Sequence, residues 1–528
     1  MRPKPSVFQF NKVLTVVVKM KHYSVALSLF DKMRRLGVPV DEITMSIAIN
    51  CYCLLNRVDF GFAILGTFFK LGCEPNVTTF STLIKGLFLV GNVIEAEKLF
   101  KKLLSEKLCE PNEIMFLTVL NGLSKAGHSL TARDLLGFFE NMSCKPDVRA
   151  YSAVIDGLCK DQMVDDALFL LSRMIDKGIS PNVVTYNSII QGFCNVGRWK
   201  DVKELLHEML DNKISPDVWT CNILVDAFCK EGMVEEAENV LKIMMQRSIC
   251  PDIVTYSALM DGYCLRGQMG KAQRVLHSVK DRGLTPSIMS YSSLINGYCK
   301  QGKIDEAWDL FLEVPCKGLQ HDTVTYTTMI QGLFHKGRFA EGWKLFNDME
   351  AQRVMPDLHT YSIVLDGLCK THQIAEAFSF LHMIEGKGFN PDIITYSILI
   401  DGLCKDGKLD IARDLFNQLP FKGLQPNVRV HNIIIGSLCR EGLVEDAKGL
   451  LLEMEKSCCA PNSVTYNVMI QGLLERNELY NAMPLMEEMC RRGFLADAAT
   501  ASLLLDQLQG NGKDDILLET IKKIVPKI

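Results

Sequence analysis

The usual marks of a chemical function are missing from this sequence. No run of about 18 apolar residues occurs, which excludes a membrane-spanning helix. There is no Cys-x-x-Cys, no His-x-x-x-His and no Cys/His cluster of zinc spacing, so no metal site is expected. A P-loop, a Gly-x-Ser-x-Gly elbow and the deaminase pattern of His-x-Glu with a later Pro-Cys-x-x-Cys are also absent, and neither catalysis nor a cofactor is expected. No charge of one sign dominates: 58 basic and 62 acidic residues give a formal net charge of −4. That argues against binding a polyanion by bulk charge, although it leaves room for a local basic stripe. Low-complexity tracts, charge runs and interdomain linkers are lacking too. Residues 1–6 are too short for a targeting segment, so the chain is either untargeted or without its presequence.

What the sequence does have is a period. The stretch 183–217, VVTYNSIIQGFCNVGRWKDVKELLHEMLDNKISPD, is 35 residues long, and copies of it run almost from end to end. Such a period decides the fold before any local reading does. Tyr186, Ile189, Ile190 and Phe193 fall on one helical face. Gly197 follows, where a left-handed residue can close that helix. Val202, Leu205, Leu206 and Met209 repeat the spacing and predict a second helix. Pro216 cannot continue it, and Asp217 can cap the next one. Each unit is therefore a helical hairpin with apolar surface on both helices, which it can bury only by stacking on its neighbours. An all-α solenoid follows, and its 528 residues need no division into globular domains.

In this frame residues 1–6 are a lead-in. Fourteen units follow, at 7–41, 42–76, 77–112, 113–147, 148–182, 183–217, 218–252, 253–287, 288–322, 323–357, 358–392, 393–427, 428–462 and 463–497. The third carries one extra residue near Leu108, Cys109 and Glu110, in the turn, where insertion is cheapest. Residues 498–528 begin like another unit. A turn is expected at Gly510-Asn511-Gly512, then a more polar helix over 515–523 that would cap the stack.

Nineteen cysteines could suggest redox chemistry, but their phase is structural. Cys53, Cys159, Cys194, Cys229, Cys264, Cys299, Cys369, Cys404 and Cys439 share one slot, two residues after the glycine (or its stand-in) of the first helix. Small buried thiols at a repeated packing position explain them, and a reducing compartment is implied. Met33, Met174, Met209, Met244, Met454 and Met489 share a second packing slot. A small residue recurs near the start of the second helix: Ala26, Ala96, Ala132, Ala167, Ala237, Ala272, Ala307, Ala377, Ala412, Ala447 and Ala482, with Gly61 and Gly342 in two other units.

Val184-Thr185-Tyr186-Asn187, the Asp-Gly-Leu-Cys-Lys of 156–160, 366–370 and 401–405, and Glu235-Glu236-Ala237 resemble the pentatricopeptide repeat. The 35-residue period and the Pro-Asp or Pro-Asn ending set it apart from the 34-residue tetratricopeptide repeat. Uniform units are similar to the P class of the family, and their wording to plant fertility-restorer-like members that act on mitochondrial transcripts. The resemblance implies a right-handed superhelical α-solenoid that binds single-stranded RNA at one base per repeat.

By that resemblance two slots choose the base: that of Asn187, one turn into the first helix, and that of Asp217, the last residue of the unit. Across fourteen units the first holds only Asn, Ser or Thr, Leu117 apart, and the second only Asp or Asn, Ser287 apart. Capping explains a polar closing residue but not which one appears, and a solvated helix position would drift through Lys, Glu and Gln. By the family's pairing rules, Asn11/Asp41, Asn187/Asp217, Asn222/Asp252 and Asn467/Asp497 prefer U. Ser46/Asn76, Ser81/Asn112, Ser152/Asn182 and Ser397/Asn427 prefer A. Ser292/Asp322, Thr327/Asp357 and Ser362/Asp392 prefer G, and Asn432/Asn462 accepts C or U. Leu117/Asp147 and Ser257/Ser287 depart from the pattern and are left unread. The implied target is near 5′-UAA?AUU?GGGA(C/U)U-3′.

The slot of Val184 would clamp each base from the side. Ile43, Val254, Val324, Ile394 and Val464 suit flat contact, Trp219 could stack, and Arg149, His359 and Arg429 are polar variants. For the aliphatic ones the plainer alternative is packing between hairpins. Lys19, Lys125, Lys160, Lys230, Lys300, Lys370, Lys405 and Arg440 share a slot near the end of the first helix and would contact phosphates. Scattered surface lysines are the alternative there. The resemblance further implies a monomeric mitochondrial protein, with the chloroplast as the alternative location. Its partners would be an organellar transcript and a processing nuclease or other protein. The competing reading from another class is a protein-binding scaffold, which predicts large, varied side chains in the Asn187 slot.

Overall fold

A computed structural model of the chain describes residues 6–72, 74–142, 145–456 and 459–511. Among the described residues there are 29 α-helices and one short 3₁₀ turn, with no strand. The unit at 183–217 folds as helices Val183–Asn195 and Trp199–Asp211, separated by a tight turn in which Gly197 takes φ 70°. Only a residue without a Cβ takes that conformation at no cost.

Each first helix begins at the closing residue of the unit before. Asp217 is extended (φ −105°, ψ −177°), and its carboxylate accepts the Thr220 N–H at 2.8 Å. The same side-chain cap is made by Asp41, Asn76, Asn112, Asp147, Asn182, Asp252, Asp322, Asp357, Asp392, Asn427 and Asn462. Losing such a cap typically costs about 1 kcal/mol. Ser287 makes no such bond.

The chain divides into two compact units, Met1–Arg266 and Gly267–Ile528, at the turn inside the repeat 253–287. In the first, consecutive first helices pack in series, from Val7–Lys19 on Glu42–Leu54 to Val218–Lys230 on Ile253–Leu265. Each also lies on the second helix of its own repeat where both fall within the unit. A continuous apolar core runs from Phe80 to Ala227, with two smaller clusters before it. The second unit repeats the arrangement, from Ile288–Lys300 on Thr323–His335 to Ser463–Glu475 on Ala498–Asn511.

The framework slots are interior. Met33, Met174, Met209, Met244, Met454 and Met489 are fully buried, as are Ala96, Ala132, Ala167 and their counterparts in the later repeats. The cysteine slot packs on the glycine of the next repeat: a Cβ on Gly192 would stand 2.9 Å from Cys159 Sγ. Burial pushes the thiols of Cys159 and Cys194 up to about 12, and the sixteen described cysteines are free.

The C-terminal expectation needs one correction. The helix Ala498–Asn511 includes Gly510 and Asn511, so they do not start a turn. Thr500 and Leu504 are buried, and packing of the early turns overrides the weak local preference of the last ones. The helix expected over 515–523 lies outside the described residues.

Candidate nucleic-acid interface

The polar slots meet at the N-terminal end of the stacked first helices. Asn187 Nδ2 donates to Asp217 Oδ1 at 3.3 Å, Asn222 to Asp252 at 3.1 Å and Asn11 to Asp41 at 3.0 Å. Asn187 and Asn222 are buried, and Asp217 is exposed, so each pair has an inner and an outer member. Burial alone would raise the Asp217 carboxyl. Hydrogen bonds from the Thr220 N–H and hydroxyl and from Asn187 outweigh it and hold the group below the usual carboxylate range. Asp41 and Asp252 are lowered by the same balance.

A third residue, not anticipated from the sequence as part of the site, joins every well-formed pair. Thr220, the third residue of the next first helix, is fully buried. Its hydroxyl donates to Asn187 Oδ1 at 2.7 Å and also lies 2.9 Å from Asp217 Oδ1. Thr44 and Thr255 do the same for Asn11 and Asn222. In the hydroxyl repeats the threonine meets the residue of the Asn187 slot directly: Ser46 with Thr79 at 3.1 Å, Ser152 with Thr185 at 2.7 Å and Ser292 with Thr325 at 2.6 Å. Thr327 with Thr360 and Ser362 with Thr395 complete the series. The signal was present as the repeated Val-Thr-Tyr, which in the sequence served only to mark the repeat.

Some expected pairs are not brought together. Ser81 Oγ has no partner, and Met115 stands where the threonine would be. Ser397, followed by Val430, turns back to its own helix at Ile393 O, 2.5 Å away. Asn432 Oδ1 is unpaired. Asn467 accepts the Asp497 N–H at 3.1 Å instead of donating to its carboxylate. Leu117 is half-buried and apolar, and Arg149 Nε holds Asp147 Oδ2 at 2.7 Å.

Beside these pairs, in each of the two units, stand exposed apolar side chains at one repeated position. Ile43, Val184, Trp219, Val254, Val324, Ile394 and Val464 are between 51% and 64% exposed, so most of each side chain lies outside the packing between hairpins. Phe8, Ile114 and Met289 occupy the same slot and are equally exposed; counting slots would have found them.

The basic slot lies eight residues beyond the Asn187 slot, roughly 12 Å along the helix. Its lysines are exposed, but four are engaged. Lys160 pairs with Asp156, Lys230 with Asp226, Lys370 with Asp366 and Lys405 with Asp401, each at 2.6 Å. Lys125 and Lys300, with Asn121 and Asn296 four residues earlier, have no acid at that spacing. Arg440 donates to Ser437 Oγ at 3.1 Å. Among the described residues no group of three or more His, Cys, Asp or Glu could hold a metal ion.

Stacked helical hairpins that repeat a polar cluster and a bare apolar position at one phase in most of their units define a helical-repeat solenoid. Comparison with known families makes this specific. A model described as "PPR repeat family" matches residues 5–54, 146–195, 181–230, 218–265, 251–299, 286–335, 321–370, 426–475 and 461–509. Models described as "PPR repeat" match 71–103, 387–420 and 359–389. The chain belongs to the pentatricopeptide repeat family.

Among curated proteins it is similar to the putative pentatricopeptide repeat-containing protein At1g12700, mitochondrial, of Arabidopsis thaliana, at 39% identity over 95 residues. Those residues are 18% of this chain and 16% of that one. The pentatricopeptide repeat-containing protein At1g62680, mitochondrial, of the same plant is 46% identical over 57 residues, 11% and 10% of the two chains. These matches span far less than two thirds of either relative. Among solved structures the fold is that of the maize pentatricopeptide repeat protein PPR10, with a TM-score of 0.52 at 23% identity, covering 99% of this chain and 86% of that one. PPR10 in complex with an 18-nt psaJ RNA element aligns with a TM-score of 0.51 at 23% identity, over 99% and 85% of the two chains.

Proposed function

We propose that this chain binds single-stranded RNA sequence-specifically, one base per repeat, near 5′-UAA?AUU?GGGA(C/U)U-3′, running parallel to the protein from N to C terminus. The observation that carries the reading is the repeated placement of three features. A choice of Asn, Ser or Thr sits beside a choice of Asp or Asn, and in ten of the fourteen units an exposed apolar residue stands next to these slots. A base edge needs the first two and a base face needs the third. Large, varied side chains in the Asn187 slot, which a protein-binding scaffold would need, do not occur apart from Leu117.

The chain acts by occupancy rather than chemistry, controlling the processing, stability or translation of an organellar transcript. A mitochondrial site of action is supported by the names of the matched relatives. A fertility-restorer-like role rests on the wording of the repeats. The test is Thr327→Asn, which moves preference at the tenth base from G towards U in a binding competition. An unchanged preference overturns the register. Selection from a random single-stranded RNA pool tests the class as well, since folded protein that enriches no motif would point to the scaffold.

A further inference from the structure

The closing Asp or Asn differs in how closely it holds the buried threonine. In the hydroxyl repeats closed by Asp, the threonine Oγ1 lies 2.6 Å from Asp322, 2.8 Å from Asp357 and 2.9 Å from Asp392. With Asn closing, Thr79, Thr185 and Thr465 all stand at 3.2 Å from Asn76, Asn182 and Asn462. A carboxylate is the stronger acceptor, and a hydroxyl has only one proton to give.

We propose that the reading element is a triad, in which the threonine of the next repeat relays the identity of the closing residue to the serine or threonine facing the base. With Asp closing, Thr325 gives its proton to Asp322 and accepts one from Ser292 at 2.6 Å. The other neighbour of Ser292, Ile288 O at 2.9 Å, is also an acceptor, so the Ser292 proton stays inside. Its lone pairs then face the base. With Asn closing, Thr185 gives its proton to Ser152 at 2.7 Å, and the Ser152 O–H is left for the base. Guanine offers a ring N–H where adenine offers a bare ring nitrogen, so an inward proton suits G and an outward one suits A. The direction of one hydroxyl would thus separate the two purines, even though the serine is the same.

The chain contains its own exceptions. Where Met115 and Val430 replace the threonine, Ser81 is unpaired and Ser397 bonds to its own helix. At these repeats the closing residue has no route to the reading hydroxyl.

This rests on the base-reading function proposed above, and the test keeps the two apart. Full-length protein is titrated with labelled 14-nt RNAs that differ only at the ninth base. In the wild-type background Asp322→Asn turns preference from G to A; no change there overturns the base-reading function itself. Repeated with Thr325→Val, the same exchange loses about fivefold of its effect, the scale of one hydrogen bond. Thr325→Ser restores it. A full switch in the Val background means Asp322 acts on the base directly and overturns the relay alone. A purely structural threonine would weaken all probes equally and leave discrimination at the ninth base untouched. Should Thr325→Val not fold, Val430→Thr decides. Asn427→Asp would hardly alter preference at the twelfth base in wild type and would shift it from A towards G once the threonine is present. Equal effects in both backgrounds refute the relay.

Discussion

Cys369 fills the space that a side chain on Gly402 would need. A Cβ there would stand 2.6 Å from Cys369 Cβ and 2.7 Å from its sulfur. Thiol and glycine belong to successive repeats, so their contact sets how closely two first helices approach. Gly402→Ala should therefore destabilise the chain by about 1–3 kcal/mol through overpacking, seen as a lower denaturation midpoint. Adding Cys369→Ala removes the sulfur, though not the Cβ, and recovers part of the loss. A double variant no more stable than Gly402→Ala alone would show that the pair does not set the spacing.

The basic slot gives a prediction of opposite sign. Lys230 is bound to Asp226, one helical turn before it, and an exposed pair of this kind is worth about 0.3–0.5 kcal/mol. Asp226→Asn releases the lysine and removes a negative charge from the proposed phosphate path. RNA affinity rises about two- to threefold at low salt, and the gain fades as salt screens it. A weaker complex after Asp226→Asn would place the phosphates elsewhere.

Trp219 is 64% exposed at the clamp slot, with a flat ring available to a base. Stacking of that kind is worth about 1–3 kcal/mol. Trp219→Ala should weaken RNA binding by that amount at any base identity, with the unfolding midpoint unchanged. Loss of stability in place of affinity would return the residue to a packing role.

Much of this was legible from phase alone. A residue repeated every 35 positions meets the same neighbours each time, so Met209, Cys194 and Ala167 declared their burial without coordinates. Three things were not. The threonine at the third position of the first helix was hidden as part of the site because a residue shared by most units marks the repeat without telling which neighbours its hydroxyl meets. The Asp156–Lys160 pair sits at i,i+4 within the Asp-Gly-Leu-Cys-Lys motif, but the motif marks a repeat without saying that its two charged ends meet. Gly510 and Asn511 look like a turn, but whether a helix ends there depends on packing that local composition does not report.

Acid provides a fourth check. Burial would raise the Asp41, Asp217 and Asp252 carboxyls, but their hydrogen bonds hold them below the ordinary value of 3.8. A depressed carboxylate contributes stability above its unfolded pKa and loses it as pH falls through the folded one. The unfolding midpoint should be insensitive to these groups from pH 7 to about 5 and fall only below about 4. Replacing all three by Asn should flatten the acid limb. An identical limb would mean other carboxylates set it.

The fourth repeat explains itself by what it lacks. Leu117 cannot hydrogen-bond, Ala150 stands where the threonine would be, and Arg149 holds the Asp147 carboxylate at 2.7 Å. All three parts of a reading element are thus missing or occupied, which predicts equal affinity for the four bases at the fourth position. Restoring one part should achieve little, because Leu117→Asn alone would set an amide against a carboxylate already paired with an arginine. Leu117→Asn, Arg149→Val and Ala150→Thr together rebuild the arrangement of Asn187, Thr220 and Asp217, and should install a preference for U of about fivefold or more. A wild-type preference at this position, or a triple variant without one, would show that these three contacts do not make a reader.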